Sequence, residues 1–159
     1  MAARPSDSKA LSSSNWDILN LPGLNADHQQ QLVQIGINTT CQLLQRTQTP
    51  AQRQNLAVQL RVHPQHVAKW SALSDLARVP SVGCQYCGLV LHAGVSSTRL
   101  LAQTSLPRLH RQVLKLQVAT MQRQDLCPSL DQVSLWIQQA RWIANQDTKT
   151  SPLCPPDRA

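Results

Sequence analysis

The chain has no glutamate, no phenylalanine and one tyrosine in 159 residues. Its eight acidic residues are therefore all aspartates, and most stand alone in cap-like or tail-like settings. No carboxylate pair of the kind used for general acid–base work is visible. There is no glycine-rich phosphate loop and no serine at a strained elbow, so no enzyme constellation emerges and no cofactor is expected. Aromatics are 3% of the chain, which leaves leucine, valine and isoleucine to fill the core. No apolar run nears the roughly 18 residues of a membrane span, and the first residues have no apolar core of a secretory signal. The cysteines number five, an odd count, which argues against a full disulfide framework and for a reducing, cytoplasmic setting. Sustained alternation of period two is absent too, so no strands are predicted.

What the chain does contain is one unit written twice. A shift of 58 positions carries Pro22 onto Pro80, Leu24 onto Val82, Gly36 onto Gly94, Ile37 onto Val95 and Leu43 onto Leu101. It also carries Arg53 onto Arg111, Leu56 onto Leu114 and Leu60 onto Val118. The offset then grows to 66, an insertion of 8 residues, and carries Val67 onto Val133 and Trp70 onto Trp136. Two such units are too few for a solenoid, so they are expected to share one compact body.

Helix signals recur in each copy. Asn25 can cap a helix ending at Gly36, with Leu32 and Ile35 inward and Asp27 to Gln31 outward. Thr39 can cap a short helix to about Arg46. Thr49-Pro50 and His63-Pro64 suit helix starts, because proline fits the first helical position. The helix after Pro50 buries Leu56, Ala57 and Leu60. The helix after Pro64 places Val67, Trp70, Leu73 and Ala77 on one face. In the second copy a helix starts after Val82-Gly83, carrying Tyr86, Cys87, Val90 and Leu91, and ends at Gly94. Ser96 or Ser97 caps a helix with Leu100 and Leu101. Ser105-Leu106-Pro107 opens the longest helix, to about Gln124, with Leu109, Val113, Leu116 and Thr120 inward. Ser129 and Gln132 have capping-box spacing before a last helix with Leu130, Val133, Trp136, Ile137, Ala140 and Ile143. Trp16 reads as an anchor for the N-terminal segment.

Charge supplies the functional signal. The formal net charge is +7 and the pI about 9.7, which favours an acidic partner. Between Asp75 and Asp125 there is no acid, but there are Arg78, Arg99, Arg108, Arg111, Lys115 and Arg123. Arg108, Arg111, Lys115 and Gln122 recur at spacings that share a helix face. A solvated helix face is the plain alternative. Cys84 and Cys87 form a single C-x-x-C pair, weak candidates for a metal. A structural zinc takes four ligands, so Cys127, His92 or His110 would have to join them. Packing is the simpler role, with Cys87 buried at a helix crossing. Cys84 sits in a first turn, where the helix dipole would lower its pKa.

Pro22-Gly23-Leu24 before a helix, Gly36-Ile37 at the turn and Leu43-Leu44 after it resemble the helix-hairpin-helix, SAM-like units of DNA repair and replication proteins. The span from about Trp16 to Asn145, with VGCQYCGLVLHAGV and LHRQVLKLQVATMQRQDLCPSL, resembles a bacterial family of unknown function best represented in cyanobacteria. The resemblance implies an all-α fold of two helix-hairpin-helix repeats packed as one domain. The chain divides into a tail (1–14), repeat one (15–76), repeat two (77–145) and a second tail (146–159); the small polar residues of the first tail and the prolines of the second, with their polar neighbours, read as disordered. The resemblance also implies that backbone N–H groups at a hairpin turn hold a nucleic-acid phosphate. Gly23 and Gly83 are the candidates, with Arg99, Arg108, Arg111, Lys115 and Arg123 as the basic surface. Each copy keeps half of the hairpin glycine pattern: Asn25 and Ser81 stand at the other two glycine positions. The expected partner is DNA or RNA backbone, or alternatively an acidic protein surface served by degenerate hairpins. No small-molecule substrate is evident.

Overall fold

The computed structural model describes residues 14–121 and 128–149. Among them are eight α-helices and no named strand: α1 (Ala26–Gln34), α2 (Thr40–Gln45), α3 (Pro50–Leu60), α4 (Pro64–Ala77), α5 (Gly83–His92), α6 (Thr98–Gln103), α7 (Leu106–Met121) and α8 (Leu130–Lys149). A 3-10 turn at Ile18–Asn20 precedes them, and one isolated bridge joins Asp17 to Thr39.

Helices α1 to α4, α6 and α8 start where the sequence supplies a cap. Asn25, Thr39, Thr49 and Ser97 each accept a hydrogen bond from a backbone N–H of the first turn they precede, and Thr39 and Thr49 form full capping boxes with Gln42 and Gln52. Ser129 Oγ does the same for α8, accepting from Gln132 N–H at 3.2 Å. Pro50 and Pro64 sit in the first turns of α3 and α4. Helices α1 and α5 end alike. Gly36 and Gly94 hold φ of +90° and +101°. The Ile37 N–H reaches back to Leu32 O at 2.9 Å and the Val95 N–H to Val90 O at 3.2 Å. Both are Schellman turns, which need a left-handed residue at the glycine position.

The two runs of four helices correspond. The offset of 58 carries α2 onto α6 end to end and α1 into α5, and the offset of 66 carries the start of α4 onto the start of α8. Packing follows the same scheme. Helix α4 lies on α2 and α3 as α8 lies on α6 and α7, and α1 lies on α3 as α5 lies on α7. The runs meet where α4 packs on α5. Equivalent side chains share burial: Leu32 with Val90, Leu43 with Leu101, Val67 with Val133 and Trp70 with Trp136 are all within 1% of fully buried. One hydrophobic cluster holds residues from both runs, so neither run closes a core of its own.

Several expectations are corrected. Leu130 is 51% exposed. It is the first residue of α8, and helical side chains lean toward the N-terminus, past the end of the helix. His28, read as outward-facing, lies against Trp70 with ring centroids 5.0 Å apart, as its counterpart Tyr86 lies against Trp136 at 5.1 Å. Helix α8 runs on to Lys149, because nothing between Gln146 and Lys149 breaks a helix and the first proline is Pro152. Ser14 is held too, its N–H donating to Arg78 O at 2.8 Å. Among the described residues α8, with 20 residues, is longer than α7, with 16, which was expected to be the longest. The rest of both predicted tails, with Cys127 and the expected end of α7 near Gln124, lies outside the described residues.

Candidate nucleic-acid interface

The hairpin glycines occupy different surroundings. Gly23 is exposed, with φ +83°, and a Cβ there would sit 3.4 Å from Leu73 and 3.8 Å from Lys69 Cε. The helix it leads into already has its cap: Asn25 Oδ1 accepts from His28 N–H at 2.8 Å. Gly83 is buried, with φ +52°, and a Cβ there would come within 2.9 Å of Trp16 Cζ2. Trp16 is fixed over it by its indole N–H, which donates to Ala77 O at 2.7 Å. Its own backbone is clasped by Thr40: the Trp16 N–H donates to Thr40 Oγ1 and the Thr40 N–H to Trp16 O. The start of α5 therefore lies beneath an indole ring, with no side-chain cap from Val82. A cavity of about 370 Å³ beside it is lined by Trp16, Asn20 and the turn from Pro80 to Gln85. The Ser81 N–H is engaged by the side chain of Gln139 on α8 at 2.9 Å.

The basic residues divide between two places. Arg108, Arg111 and Lys115 are all exposed on α7, on the face opposite buried Leu109 and Val113. No acidic residue interrupts that helix, so the charges are unbalanced locally. Arg99 lies on α6 and lines a cleft of about 370 Å³ with Ala102, Gln103, Arg141, Ala144 and Asn145. Arg123 lies outside the described residues. Arg53, the counterpart of Arg111, is half-buried and donates to Thr47 O at 3.0 Å. Arg78 is buried and paired with Asp75 at 3.0 Å, which removes it from the basic surface.

The cysteines pack. Cys87 is fully buried and Cys84 partly so. Burial pushes the Cys84 thiol up to about 11 and the Cys87 thiol up to about 12, with the neighbouring Cys84 adding to the latter. The dipole of α5 was expected to lower Cys84, and desolvation outweighs it. Among the described residues no three His, Cys or Asp side chains gather as a metal site. Cys41 is disulfide-bonded. No helix among the described residues is long and apolar enough to cross a membrane.

Residues 22–143 match the family described as Domain of unknown function (DUF4332). The chain belongs to that family. Neither the curated proteins nor the solved structures contain a match. For a DUF4332 chain the family carries no assigned activity, so the site rests on its own geometry. Sequence reasoning missed Arg141, the clasp of Trp16 over Gly83, and Asp75 as a junction residue. The repeat offset of 66 was a signal for the first, since it sets Arg141 against Asp75.

Proposed function

We propose that this protein is a non-enzymatic binding module of two helix-hairpin-helix units that grips nucleic-acid backbone with little sequence preference. The observation that carries this reading is the face of α7. Arg108, Arg111 and Lys115 are exposed together, without a carboxylate on the helix, inside a stretch of chain without acids from 76 to 124. Cations on one helix face neutralise phosphates and release counterions, which gives affinity without reading bases. The repeated helix order and the positive-φ glycines before α1 and at the start of α5 also support the hairpin reading. The test is fluorescence anisotropy with short duplex and single-stranded DNA at about 50 and about 200 mM salt. Binding that weakens steeply with salt is expected. Arg111→Ala with Lys115→Ala should weaken it on every sequence and lower the salt slope by about one per residue. Variants that bind like wild type would refute the α7 assignment.

A second reading is an adaptor whose hairpins dock on protein. It is favoured by the indole over Gly83 and by the Asn25 side chain on the His28 N–H, each of which occupies part of a helix start that the resemblance assigns to a phosphate. A stable protein partner that survives nuclease treatment, with no DNA binding at low salt, would establish it.

A further inference from the structure

Asp75 on α4 is a clasp between the two runs of helices. Its Oδ2 accepts from the Thr98 N–H at 2.8 Å, its backbone carbonyl accepts from Thr98 Oγ1 at 2.7 Å, and its Oδ1 holds Arg78. The groove of α2 and α4, about 520 Å³, is thus bordered on its far side by Ser96 and Ser97 of the second run. The cleft between α6 and α8 in the second run shares two of that groove's lining positions, Ala102 for Leu44 and Arg141 for Asp75, and at the second the chemistry is reversed. Arg141 stands at the position of Asp75 and Arg99 at that of Cys41. An acceptor that receives an N–H has become a donor, beside a second donor.

Arg141 is also positioned in advance. Its Nε–H donates to Ala102 O at 3.1 Å, which fixes the guanidinium plane at the cleft wall while its two terminal nitrogens keep their N–H groups for a ligand. A guanidinium so oriented presents the planar fork that takes two oxygens of one anion. Arg99 lines the same cleft, together with Ala102, Gln103, Ala144 and Asn145. Among the described residues no carboxylate lines the cleft. Resting on the nucleic-acid reading above, we infer that the α6–α8 cleft is a phosphate site for nucleic-acid backbone, held by Arg99 and Arg141, rather than the hairpin N–H groups. An extended polyanion is favoured over an isolated carboxylate because the same run of helices also carries the exposed, acid-free basic face of α7, and a ligand with many charges gains from every cation it reaches.

The experiment titrates full-length protein against labelled duplex DNA by anisotropy at two salt concentrations, with Arg99→Ala, Arg141→Ala and Arg141→Lys beside Arg46→Ala, an exposed arginine elsewhere. Each alanine variant in the cleft should weaken binding by about fivefold or more and lower the salt slope by about one. Arg141→Lys should keep the slope and lose part of the affinity, since it retains charge without the fork. Arg99→Ala guards against a folding artefact, because no hydrogen bond of the fold involves its side chain in the described structure. Wild-type binding with cleft variants that match Arg46→Ala would overturn the cleft and leave the nucleic-acid reading standing. No binding by wild type at low salt would overturn both. Displacement of the DNA by polyglutamate at equal charge would overturn the phosphate assignment in favour of an acidic protein segment.

Discussion

Gly36 and Gly83 both hold a positive φ, yet their neighbours differ. A Cβ on Gly36 would meet nothing within 4 Å, whereas one on Gly83 would strike the Trp16 ring at 2.9 Å. Gly36→Ala should therefore cost only the left-handed backbone penalty, about 1–2 kcal/mol. Gly83→Ala should cost about 2–4 kcal/mol, because the indole must also give way. Denaturant unfolding of the two variants checks the difference, and equal losses would mean that Trp16 yields freely. The thiols make a second prediction at this scale. With Cys84 raised to about 11, its thiolate at pH 8 is scarcer than in an ordinary cysteine. Site-resolved alkylation at Cys84 should run roughly 100-fold slower than at a free thiol. The linkage has a definite sign: above an unfolded thiol pKa near 9.0 the folded state binds more protons than the unfolded one. Stability should fall as pH rises from about 9 toward 12. Cys84→Ala should lessen that fall.

Helices α2 and α6 have six residues each, too few to hold together unaided. Their caps and their buried faces keep them folded. Thr39→Ala and Ser97→Ala should each cost about 1 kcal/mol, with Thr39→Ala the larger because it also breaks a capping box. The join between α4 and α6 depends on Asp75. Asp75→Ala takes the carboxylate from buried Arg78 and the acceptor from Thr98, and should cost about 3 kcal/mol. Asp75→Asn retains an acceptor and should cost less. Thermal melts rank the two, and equal losses would show that the ion pair rather than the Thr98 bond sets the cost.

Across the molecule, one hydrophobic cluster spans both runs of helices. Unfolding should be a single transition, with calorimetric and van't Hoff enthalpies in agreement. Two separated transitions would mean that the halves fold independently. The charge of +7 acts at this scale as well. A positive net charge favours encounter with polyanions at low salt, and in the proposed reading the fixed arginines set where a polyanion is held.

Most of the fold was legible in the sequence. Cap residues, prolines at helix starts and glycines at helix ends act within a few residues, so Asn25, Thr39, Thr49, Ser97 and Gly94 marked their boundaries directly. The offset of 58 made the second run of helices readable from the first. The all-α class followed from the period of the buried positions. The surroundings of the functional candidates were decided by tertiary structure alone. Trp16 reaches Gly83 and Ala77 across more than sixty residues, and no local pattern encodes that. Arg78 looked like part of the basic surface until the fold buried it beside Asp75. Arg141 gained a partner in Arg99 only when α8 packed on α6. Local propensities act over one helical turn, but a binding site is made where distant turns meet, and that meeting is set by the packing of the whole core.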